Sequence, residues 1–475
     1  LVVALRKLAG KEEKLRKEKS RVDEIPFDSA QKFMAVAVLD RKQKKAIIKG
    51  APETIFKMCT LSKEEQKKLL KINDYLSAKG LRVLAVGEKK LTSEEKMKTL
   101  KKYSFLGLIG MYDPPRKEVP EALKVCQKAG VRVLMITGDH KKTAEAIAAQ
   151  IGLTSEGVVT GDEINDMNDR EFKKIVKKVN VFARVSPQHK VRILTTLQKL
   201  GHQVGMTGDG VNDAPAIKRA DVGIAVGSGT DLTKGISDMI LLDDDFSTIP
   251  KGIREGRRIF FNIKKFVRFL ISANFDEIAE VFTCILFGIP LSFLPLQILW
   301  LNLATDSLPA LALTSDVAEK GIMERKPYCP KEEILKGVIP FAVLCAIIAY
   351  ISTFGLFLVS LYVWKMPLIY ARTMAFTATV MFEFFSVFAI RSEKSAFEIG
   401  IFSNKFLCLS VILGVIGQLL AIYLPLGQQV FKTIPLNLKD WMLILFCSSS
   451  GFVVIEVLKA IKQKFPKAGK FIPTG

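Results

Sequence analysis

Two short loops in this sequence carry the residue types that bind a metal ion and a phosphoryl group. The longer loop lies in the segment 203–226, QVGMTGDGVNDAPAIKRADVGIAV, where Asp209, Asn212 and Asp213 follow a short apolar run. Two carboxylates and an amide oxygen are hard ligands of the kind that Mg²⁺ takes together with substrate phosphate. Glycines on both sides of Asp209 let the backbone turn sharply and approach a phosphate closely. This order of residues predicts a phosphate and Mg²⁺ site, whereas an isolated Asp-Gly or Asn-Asp pair would predict only a turn.

The shorter loop is Thr137-Gly138-Asp139-His140, between an apolar run at 131–136 and a predicted helix at 142–151. A strand that ends in Thr-Gly-Asp before a helix puts backbone N–H groups and a hydroxyl where an anion can bind. One such loop is a weak signal, but the second strand–TGDG loop seventy residues later makes the pair specific. The sequence contains no GxxxxGK[ST] segment, so any ATP chemistry here does not use a P-loop.

The elements that must position these loops alternate between short apolar runs and helices. In residues 111–255 the alternation predicts a doubly wound parallel sheet, which places ligands at the carboxyl ends of its strands. Residues 1–110 predict a separate α/β domain. Its elements are an opening basic helix, strands at 33–39, 46–48 and 81–86, the segment KGAPE with Pro52 in a first helical turn, and a helix at 64–78 that ends at Gly80.

The composition of the chain changes beyond about residue 268, where long apolar runs begin. Most of these runs are long enough to cross about 30 Å of hydrocarbon as a helix. The six segments are 264–289, 294–314, 338–364, 373–390, 406–424 and 441–461. Basic residues in the stretches 315–336, 391–405 and 459–470 predict that these face the cytoplasm. The sequence therefore predicts a multi-pass integral membrane protein with an all-α domain of six transmembrane helices at 256–475 and soluble domains in the cytosol.

Several polar residues fall inside these apolar segments, where they are costly and mark functional sites. They are Asn274 and Glu277 in the first segment, Asn302, Thr305 and Asp306 in the second, and Glu383 in the fourth. Their carboxylate, amide and hydroxyl oxygens suit a hard cation such as Ca²⁺ better than a soft metal. Pro309 cannot donate to the carbonyl of Thr305, which loosens the second segment at this cluster and frees a carbonyl for an ion. Hydrogen bonding between helices could explain Asn274 or Thr305, but hardly three carboxylates at mid-span.

The bulk composition excludes two other classes of protein. The net charge of +22 comes mostly from lysines spread along the chain, without the stripe of arginines and aromatic residues that nucleic acids require, so we expect no nucleic-acid partner. The seven cysteines show no CxxC or paired spacing, and four of them lie in apolar stretches. They are therefore expected to be buried hydrophobic residues, without a disulfide framework.

The segment TGDGVNDAPAIKRADVGIA closely resembles the hinge motif of the P-type cation-transporting ATPases, whose phosphorylation domain has the haloacid-dehalogenase fold. The resemblance implies that 111–255 is this phosphorylation domain and that Asp209 holds Mg²⁺. It also implies that Lys190 contacts an aspartyl phosphate, with Thr137 and Gly138 around its oxygens. The catalytic positions that it implies are Thr137, Gly138, Asp139, Lys190, Asp209, Asn212 and Asp213.

In the resembling pumps, the domain that corresponds to residues 1–110 binds the nucleotide, and its front is missing here. The nucleotide-binding positions that the resemblance implies are Phe27, Lys32, Lys49, Arg82 and Arg184. Phe27 matches the aromatic residue that stacks on adenine, Lys32 and Lys49 line the pocket, and Arg82 reaches toward the phosphates. Stacking and cationic contacts are what ATP requires physically. Ser29 stands where such pumps carry an arginine, which predicts a lower affinity for the nucleotide.

The polar residues of the apolar segments match, one by one, the ion ligands of the sarcoplasmic-reticulum-type calcium pumps. These are Asn274, Glu277, Asn302, Thr305, Asp306 and Glu383. Sodium and proton pumps commonly carry an aspartate at the position of Asn302, which favours calcium. Asp276 and Glu280 depart from the pattern, because they are acids that such a pump is not expected to have.

The resemblance as a whole implies the C-terminal part of an ATP-driven pump that exports calcium from the cytosol through an aspartyl-phosphate cycle. The chain lacks a DKTGT segment and an initiator methionine, so we expect a fragment. The expected cofactors are ATP and Mg²⁺ with transported Ca²⁺, and the expected partners are membrane lipid and the upstream part of the same pump. The alternatives are a pump for Na⁺/K⁺, H⁺ or Mn²⁺, an inactive membrane fragment without its nucleophile, and a membrane-tethered phosphatase of the dehalogenase type.

Overall fold

The computed structural model describes residues 19–28, 31–40, 43–91, 102–112, 114–319, 321–328 and 338–465. The chain forms two compact units, Leu1–Pro250 and Lys251–Gly475. The predicted opening helix and Ser29 lie outside the described residues, as do parts of the predicted cytoplasmic stretches 315–336 and 459–470.

The first unit contains a five-stranded antiparallel sheet in which the strands follow their sequence order. The strands are β1 Lys19–Asp28, β2 Phe33–Asp40, β3 Gln43–Gly50, β4 Leu81–Lys90 and β5 Ser104–Tyr112. Alternating apolar residues such as Ala35, Ile48 and Ala85 are fully buried on one face, as a half-buried sheet requires. They pack with Phe56 of helix α1 (Pro52–Met58) and Leu69 of helix α2 (Lys63–Ala78), so the other face of the sheet is turned away from this core.

Local sequence signals set the bounds of these two helices. Pro52 is the first residue of α1, where its missing N–H costs no helical hydrogen bond. Ser62 and Glu65 form a capping box at the start of α2, in which each side chain bonds the other's backbone N–H. Gly80 then ends the turn with a φ of +80°, a conformation that glycine adopts without strain. The predicted helix at 64–78 and its end at Gly80 are thus confirmed.

Six short parallel strands follow in the described part of this unit. They are β6 Met135–Ile136, β7 Val158–Thr160, β8 Val181–Ala183, β9 Gly205–Gly208, β10 Val222–Val226 and β11 Met239–Leu241. The helices among them are α3 Val119–Lys128, α4 Lys141–Gln150, α5 Gly161–Asp166, α6 Asp169–Val176, α7 Pro187–Lys199, α8 Ala214–Arg219 and α9 Asp231–Gly235. The predicted parallel pairing is confirmed, but the strands form two three-stranded sheets, ordered β6-β8-β7 and β11-β10-β9. A single doubly wound sheet is therefore not confirmed.

The second unit is helical in its described part. Its elements are α10 Thr248–Phe287, which begins just before the unit, α11 Pro295–Trp300, a π-helical turn Leu301–Asp306, α12 Ser307–Thr314, α13 Val338–Leu358, a second π-helical turn Val359–Val363, α14 Leu368–Ile390, α15 Ala396–Ile399, α16 Lys405–Tyr423, α17 Pro425–Phe431 and α18 Leu438–Lys464. Five helical segments of the described chain are long and apolar enough to cross a membrane. They are Pro295–Thr314, Val338–Val363, Leu368–Ile390, Lys405–Tyr423 and Leu438–Lys464. The chain is therefore a multi-pass membrane protein.

The predicted number of six spans is not confirmed. The first predicted span, 264–289, is helical along almost its whole length, since α10 reaches Phe287. Its apolar part nevertheless contains three acidic residues, Asp276, Glu277 and Glu280, and α10 is not among the five segments that are apolar enough to cross a membrane. Two of these three acids, Asp276 and Glu280, are the residues that depart from the calcium-pump pattern.

Helix α14 lies at the centre of the second unit. Its most apolar stretch is 89% buried, against 22–44% for the other four candidate spans. It packs against α13 and α18 through a core that includes Phe357, Phe376 and Ile444. Polar side chains on α14 therefore point into protein on nearly every side, and Glu383 is one of them.

One buried carboxylate ties four segments of this unit together. Asp316, just beyond α12, accepts hydrogen bonds from Lys265 at 3.1 Å, Arg391 at 2.8 Å and Asn404 at 3.4 Å. Burial raises the pKa of Asp316, but the hydrogen bond from Arg391 and the charge of Lys265 outweigh it and hold the pKa below its usual value. Asp316 therefore links α10 with the segments that follow α12 and α14 and with the start of α16.

Candidate functional site

The loop after β9 contains a buried ion pair. Lys190 is the fourth residue of α7 and donates to Asp213, the residue before α8; both side chains are at least four-fifths buried. Gly208 makes this possible, because a Cβ atom there would lie 2.7 Å from the carboxyl carbon of Asp213. The structure thus joins two of the predicted catalytic residues and holds a cationic side chain beside the glycine loop.

The other two predicted residues of this loop are accessible. Asp209 and Asn212 are exposed; Asp209 precedes, and Asn212 lies within, the turn that closes with the hydrogen bond from Asp213 N to Gly210 O at 2.9 Å. The carbonyl of Asp209 accepts from the amide of Thr230 at 3.1 Å, which fixes the loop backbone. Exposed carboxylate and amide oxygens are donor types that Mg²⁺ takes in proteins.

The Thr137 loop is held by internal and strand contacts. Thr137 Oγ1 donates to Asp139 Oδ2 at 2.8 Å, and the amide of Asp139 donates back to Thr137 Oγ1 at 3.1 Å. The amide of Thr137 donates to Phe182 at the end of β8, and Val185 donates to the carbonyl of Thr137. Since α7 begins at Pro187, these bonds place the Thr137 loop beside the helix that carries Lys190. No hydrogen bond or ion pair of the described residues joins the Thr137 and Asp209 loops directly.

A cluster that the sequence did not predict joins the KGAPE segment to this loop. Glu53 is ion-paired with Arg184, and His140 Nε2 lies 3.4 Å from its carboxylate. Burial raises the pKa of Glu53, but the hydrogen bond with His140 and the charge of Arg184 outweigh it and lower the pKa to about 2. Arg82, in turn, lies 3.6 Å from Asp139. Both arginines that were predicted to bind nucleotide thus contact carboxylates around the Thr137 loop.

The remaining nucleotide-binding candidates lie on the antiparallel sheet. Lys49 pairs with Val86, and Arg82 lies on the same face of β4 as Val86, so both cationic side chains stand opposite the packed core. Lys32 has a φ of +58°, and its carbonyl accepts from the amide of Ala51 at 2.9 Å. These contacts bring Lys32 next to the KGAPE segment, as a shared pocket would require.

Phe27 precedes Asp28, whose carbonyl accepts from the amide of Lys32 at 2.8 Å. It is 62% exposed and lines an open hollow of about 450 Å³ with Ile25, Pro26, Asp28 and Gln31. None of the predicted cationic residues lines that hollow. The ring is nevertheless free to stack on a planar base.

In the second unit, one hydrogen bond and one close contact between oxygens bring together most of the predicted cation ligands. Asn302 Nδ2 donates to Glu277 Oε2 of α10 at 2.8 Å, and Thr305 Oγ1 lies 3.4 Å from Glu383 Oε2 of α14. Asp306 is buried at the end of the same π-helical turn. Asn274 is not joined to them, because its amide donates to the carbonyl of Leu270 in its own helix.

The π-helical turn confirms the predicted loosening of the second span. Residues Leu301–Asp306 leave the α-helical pattern just before Pro309, which lies in the first turn of α12. Such turns occur at functional sites, because they redirect side chains and carbonyl groups that a regular helix would bury. Asn302, Thr305 and Asp306 all belong to this turn.

Several carboxylate oxygens of this cluster are buried without a hydrogen bond. They are Glu277 Oε1, both oxygens of Asp306, and Glu383 Oε1. A buried charge without a partner is costly, so these oxygens fit a cation as their missing partner. Among the described residues no three His, Cys, Asp or Glu side chains are arranged to hold a metal ion. A cation here would therefore need the amide, hydroxyl and carbonyl oxygens of the π-helical turn as well as carboxylates.

Two protein families match the chain. Residues 1–118 match the P-type ATPase cytoplasmic domain N, and residues 290–461 match the cation transporting ATPase C-terminus. The calcium-transporting ATPase 1 of Bacillus cereus is 38% identical, over 94% of this chain and 54% of the relative. The calcium-transporting ATPase of Bacillus subtilis is 38% identical, over 94% and 52%. The human calcium-transporting ATPase type 2C member 1 is 39% identical, over 96% and 51%.

The chain spans about half the length of the curated relatives that it matches. The two matched regions fall in different units of the structure, one on the antiparallel sheet and one on the helical bundle. Sequence motifs, matched regions and relatives agree, and the chain belongs to the P-type cation-transporting ATPase family.

Proposed function

We propose that this protein is an ATP-driven pump that exports Ca²⁺ from the cytosol through an aspartyl-phosphate cycle. The observation that carries the proposal is the convergence of Glu277, Asn302, Thr305 and Glu383 around buried oxygens without partners. Carboxylate, amide and hydroxyl oxygens are the ligand set of a hard cation. The names of the relatives support calcium as that cation.

The proposed roles of the three parts of the chain follow from the same family. Residues 1–110 are proposed to bind ATP, residues 111–255 to carry the phosphoryl chemistry, and residues 256–475 to carry the cation through the membrane. The soluble domains would then lie in the cytosol, where ATP is available. The nucleophilic aspartate is not assigned, because these 475 residues contain no DKTGT segment.

The geometry of the glycine loop suits phosphoryl transfer. Lys190 stands beside Gly208, and the Thr137 hydroxyl, which donates to Asp139 in this structure, lies in the neighbouring loop. These groups would stabilise the charge that develops on the transferred phosphoryl group. Mg²⁺ would be held by Asp209, with Asn212 close by, and would neutralise part of that charge when bound. A covalent aspartyl phosphate divides one difficult step into two easier ones.

The proposal is tested by cation-dependent phosphorylation. The protein is expressed from its own gene, and its membranes are incubated with γ-labelled ATP and Mg²⁺ across a titration of free Ca²⁺. Parallel titrations use Mn²⁺, Na⁺ and K⁺. We expect Ca²⁺ to trigger an acid-stable, hydroxylamine-sensitive label. A label that depends on Na⁺ or K⁺ instead would replace the calcium proposal with a monovalent-cation pump.

A further inference from the structure

Two buried acids of α10 take no part in the proposed cation site. Asp276 and Glu280 are one helical turn apart, and they are 2% and 0% exposed. At about 100° per residue they share one face of the helix, whereas Glu277 lies on the neighbouring face. Two like charges in one buried place destabilise the fold unless something neutralises them.

The contacts of these acids differ from those of Glu277. Glu280 Oε1 lies 2.7 Å from Thr353 Oγ1 of α13, whereas Glu277 is bonded by Asn302 of the π-helical turn. Thr353 Oγ1 is also 2.9 Å from the carbonyl of Ala349 in its own helix. The hydroxyl has a single hydrogen, so when it donates to Ala349 its lone pairs face the carboxylate. Thr353 can then act with Glu280 as an oxygen ligand.

Three polar atoms at this place are buried without a hydrogen-bond partner. They are Asp276 Oδ1, Glu280 Oε2 and the hydroxyl oxygen of Ser292. Ser292 is fully buried, and its hydroxyl lies near the Glu280 carboxylate. No Lys, Arg or His of the described residues forms an ion pair with either acid. Buried polar groups without partners are rare in native proteins and call for an ion or water.

We propose that Asp276, Glu280, Thr353 and Ser292 bind a second hard divalent cation between α10 and α13. Two carboxylates balance the charge of one such ion, and two hydroxyl oxygens extend its coordination. The inference rests on the proposed function, because a second membrane-buried cation has a use in a cation pump. It assigns a role to the two acids that set α10 apart from the calcium-pump pattern.

The test counts the ions that are bound per chain. The purified full-length protein is equilibrated with ⁴⁵Ca²⁺ at saturation, with Mn²⁺, Na⁺ and K⁺ as competitors. Glu280→Gln should bind one Ca²⁺ fewer than the wild type. Thr353→Val keeps the size of the side chain and removes no charge. It should lower the affinity for one of the bound Ca²⁺ ions by about tenfold or more. Ser352→Ala is the matched control, because the neighbouring Ser352 hydroxyl bonds Ser450 instead, and it should bind as the wild type does.

The outcomes separate this inference from the proposed function. If Glu280→Gln and Thr353→Val bind as many ions as the wild type with unchanged affinity, the second site is overturned. The proposed function survives that result if Glu277→Gln still lowers Ca²⁺ binding. If Na⁺ or K⁺ displaces the second Ca²⁺ ion and Mn²⁺ does not, the assignment of this site to a divalent cation is overturned. If Glu280→Gln does not fold, Thr353→Val decides alone. A wild type without bound Ca²⁺ would overturn both proposals.

Discussion

Asn302 donates a hydrogen bond of 2.8 Å to the carboxylate of Glu277, which ties the π-helical turn to α10. The amide uses one of its two N–H groups there, and its other close contact is the carbonyl of Ile298 at 3.1 Å. With both contacts through nitrogen, the amide oxygen of Asn302 is directed elsewhere and remains available as a ligand. The hydrogen bond therefore orients two cation ligands at once.

Asp306→Asn should raise the Ca²⁺ requirement of phosphorylation by orders of magnitude. Both carboxylate oxygens of Asp306 are buried and unpartnered, so the residue is arranged to give its full charge to an ion. Glu383→Gln should raise the Ca²⁺ requirement less, because one oxygen of Glu383 already faces Thr305. The measurement is the calcium midpoint of phosphorylation from ATP.

The matched control for this experiment is Asp440→Asn. It removes another buried carboxylate of the second unit, one that accepts from Tyr370 and lies outside the cluster. Its calcium midpoint should equal that of the wild type. An unchanged midpoint in Asp306→Asn would remove Asp306 from the set of ligands.

Lys49→Ala and Phe27→Ala should each weaken ATP binding, by about 1–3 kcal/mol, from lost charge contact and lost stacking. Lys49 stands on the open face of the sheet, and the Phe27 ring is exposed enough for a base to cover it. Lys45→Ala is the control, since it removes the same charge from the same face of the same strand, four residues away. Equal ATP affinity in all three variants, measured by calorimetry on folded protein, would rule out this pocket.

Asp316→Asn should lower the free energy of unfolding by about 3–5 kcal/mol, because it leaves Lys265 and Arg391 buried without their shared counter-charge. Glu255→Gln breaks an exposed pair with Arg258 and should cost only about 0–1 kcal/mol. Unfolding of the detergent-solubilised protein gives both values. A loss for Asp316→Asn as small as that for Glu255→Gln would mean that water already reaches the cluster.

Local sequence patterns predicted most of the helices and the spans. Apolar runs and caps set α2, α4 and α18 to within a few residues, because hydrophobic period and capping are local properties. The fourth span, predicted at 373–390, begins earlier in the structure, at Leu368, since Pro367 immediately precedes it. The predicted strand 131–136 is reduced to Met135–Ile136, because only these residues pair with β8.

Long-range partners could not be predicted in the same way. Glu53 and Arg184 are 131 residues apart, and nothing in KGAPE or in the segment after β8 specifies that they meet. Asp316 and Arg391 are likewise 75 residues apart. For Glu53, the only local signal was its position beside the glycine and proline of KGAPE, a combination that many turns share. The proposed cation ligands were found because buried carboxylates are conspicuous in apolar segments.

Glu53 should make the stability of the first unit depend on pH in acid. Its pKa is lowered from 4.5 to about 2 in the folded protein, so over this range the folded state binds fewer protons than the unfolded chain. The unfolding free energy therefore rises with pH between about 2 and 4.5, and the stabilisation by Glu53 is complete above that window. Glu53→Gln should be less stable than the wild type at pH 6, and the difference should shrink as the pH falls toward 2. Chemical unfolding of both proteins at several pH values measures it. Glu145→Gln, at an exposed position of α4, is the matched control and should show no such trend. A constant difference between Glu53→Gln and the wild type across the window would mean that the ion pair with Arg184 does not form in solution.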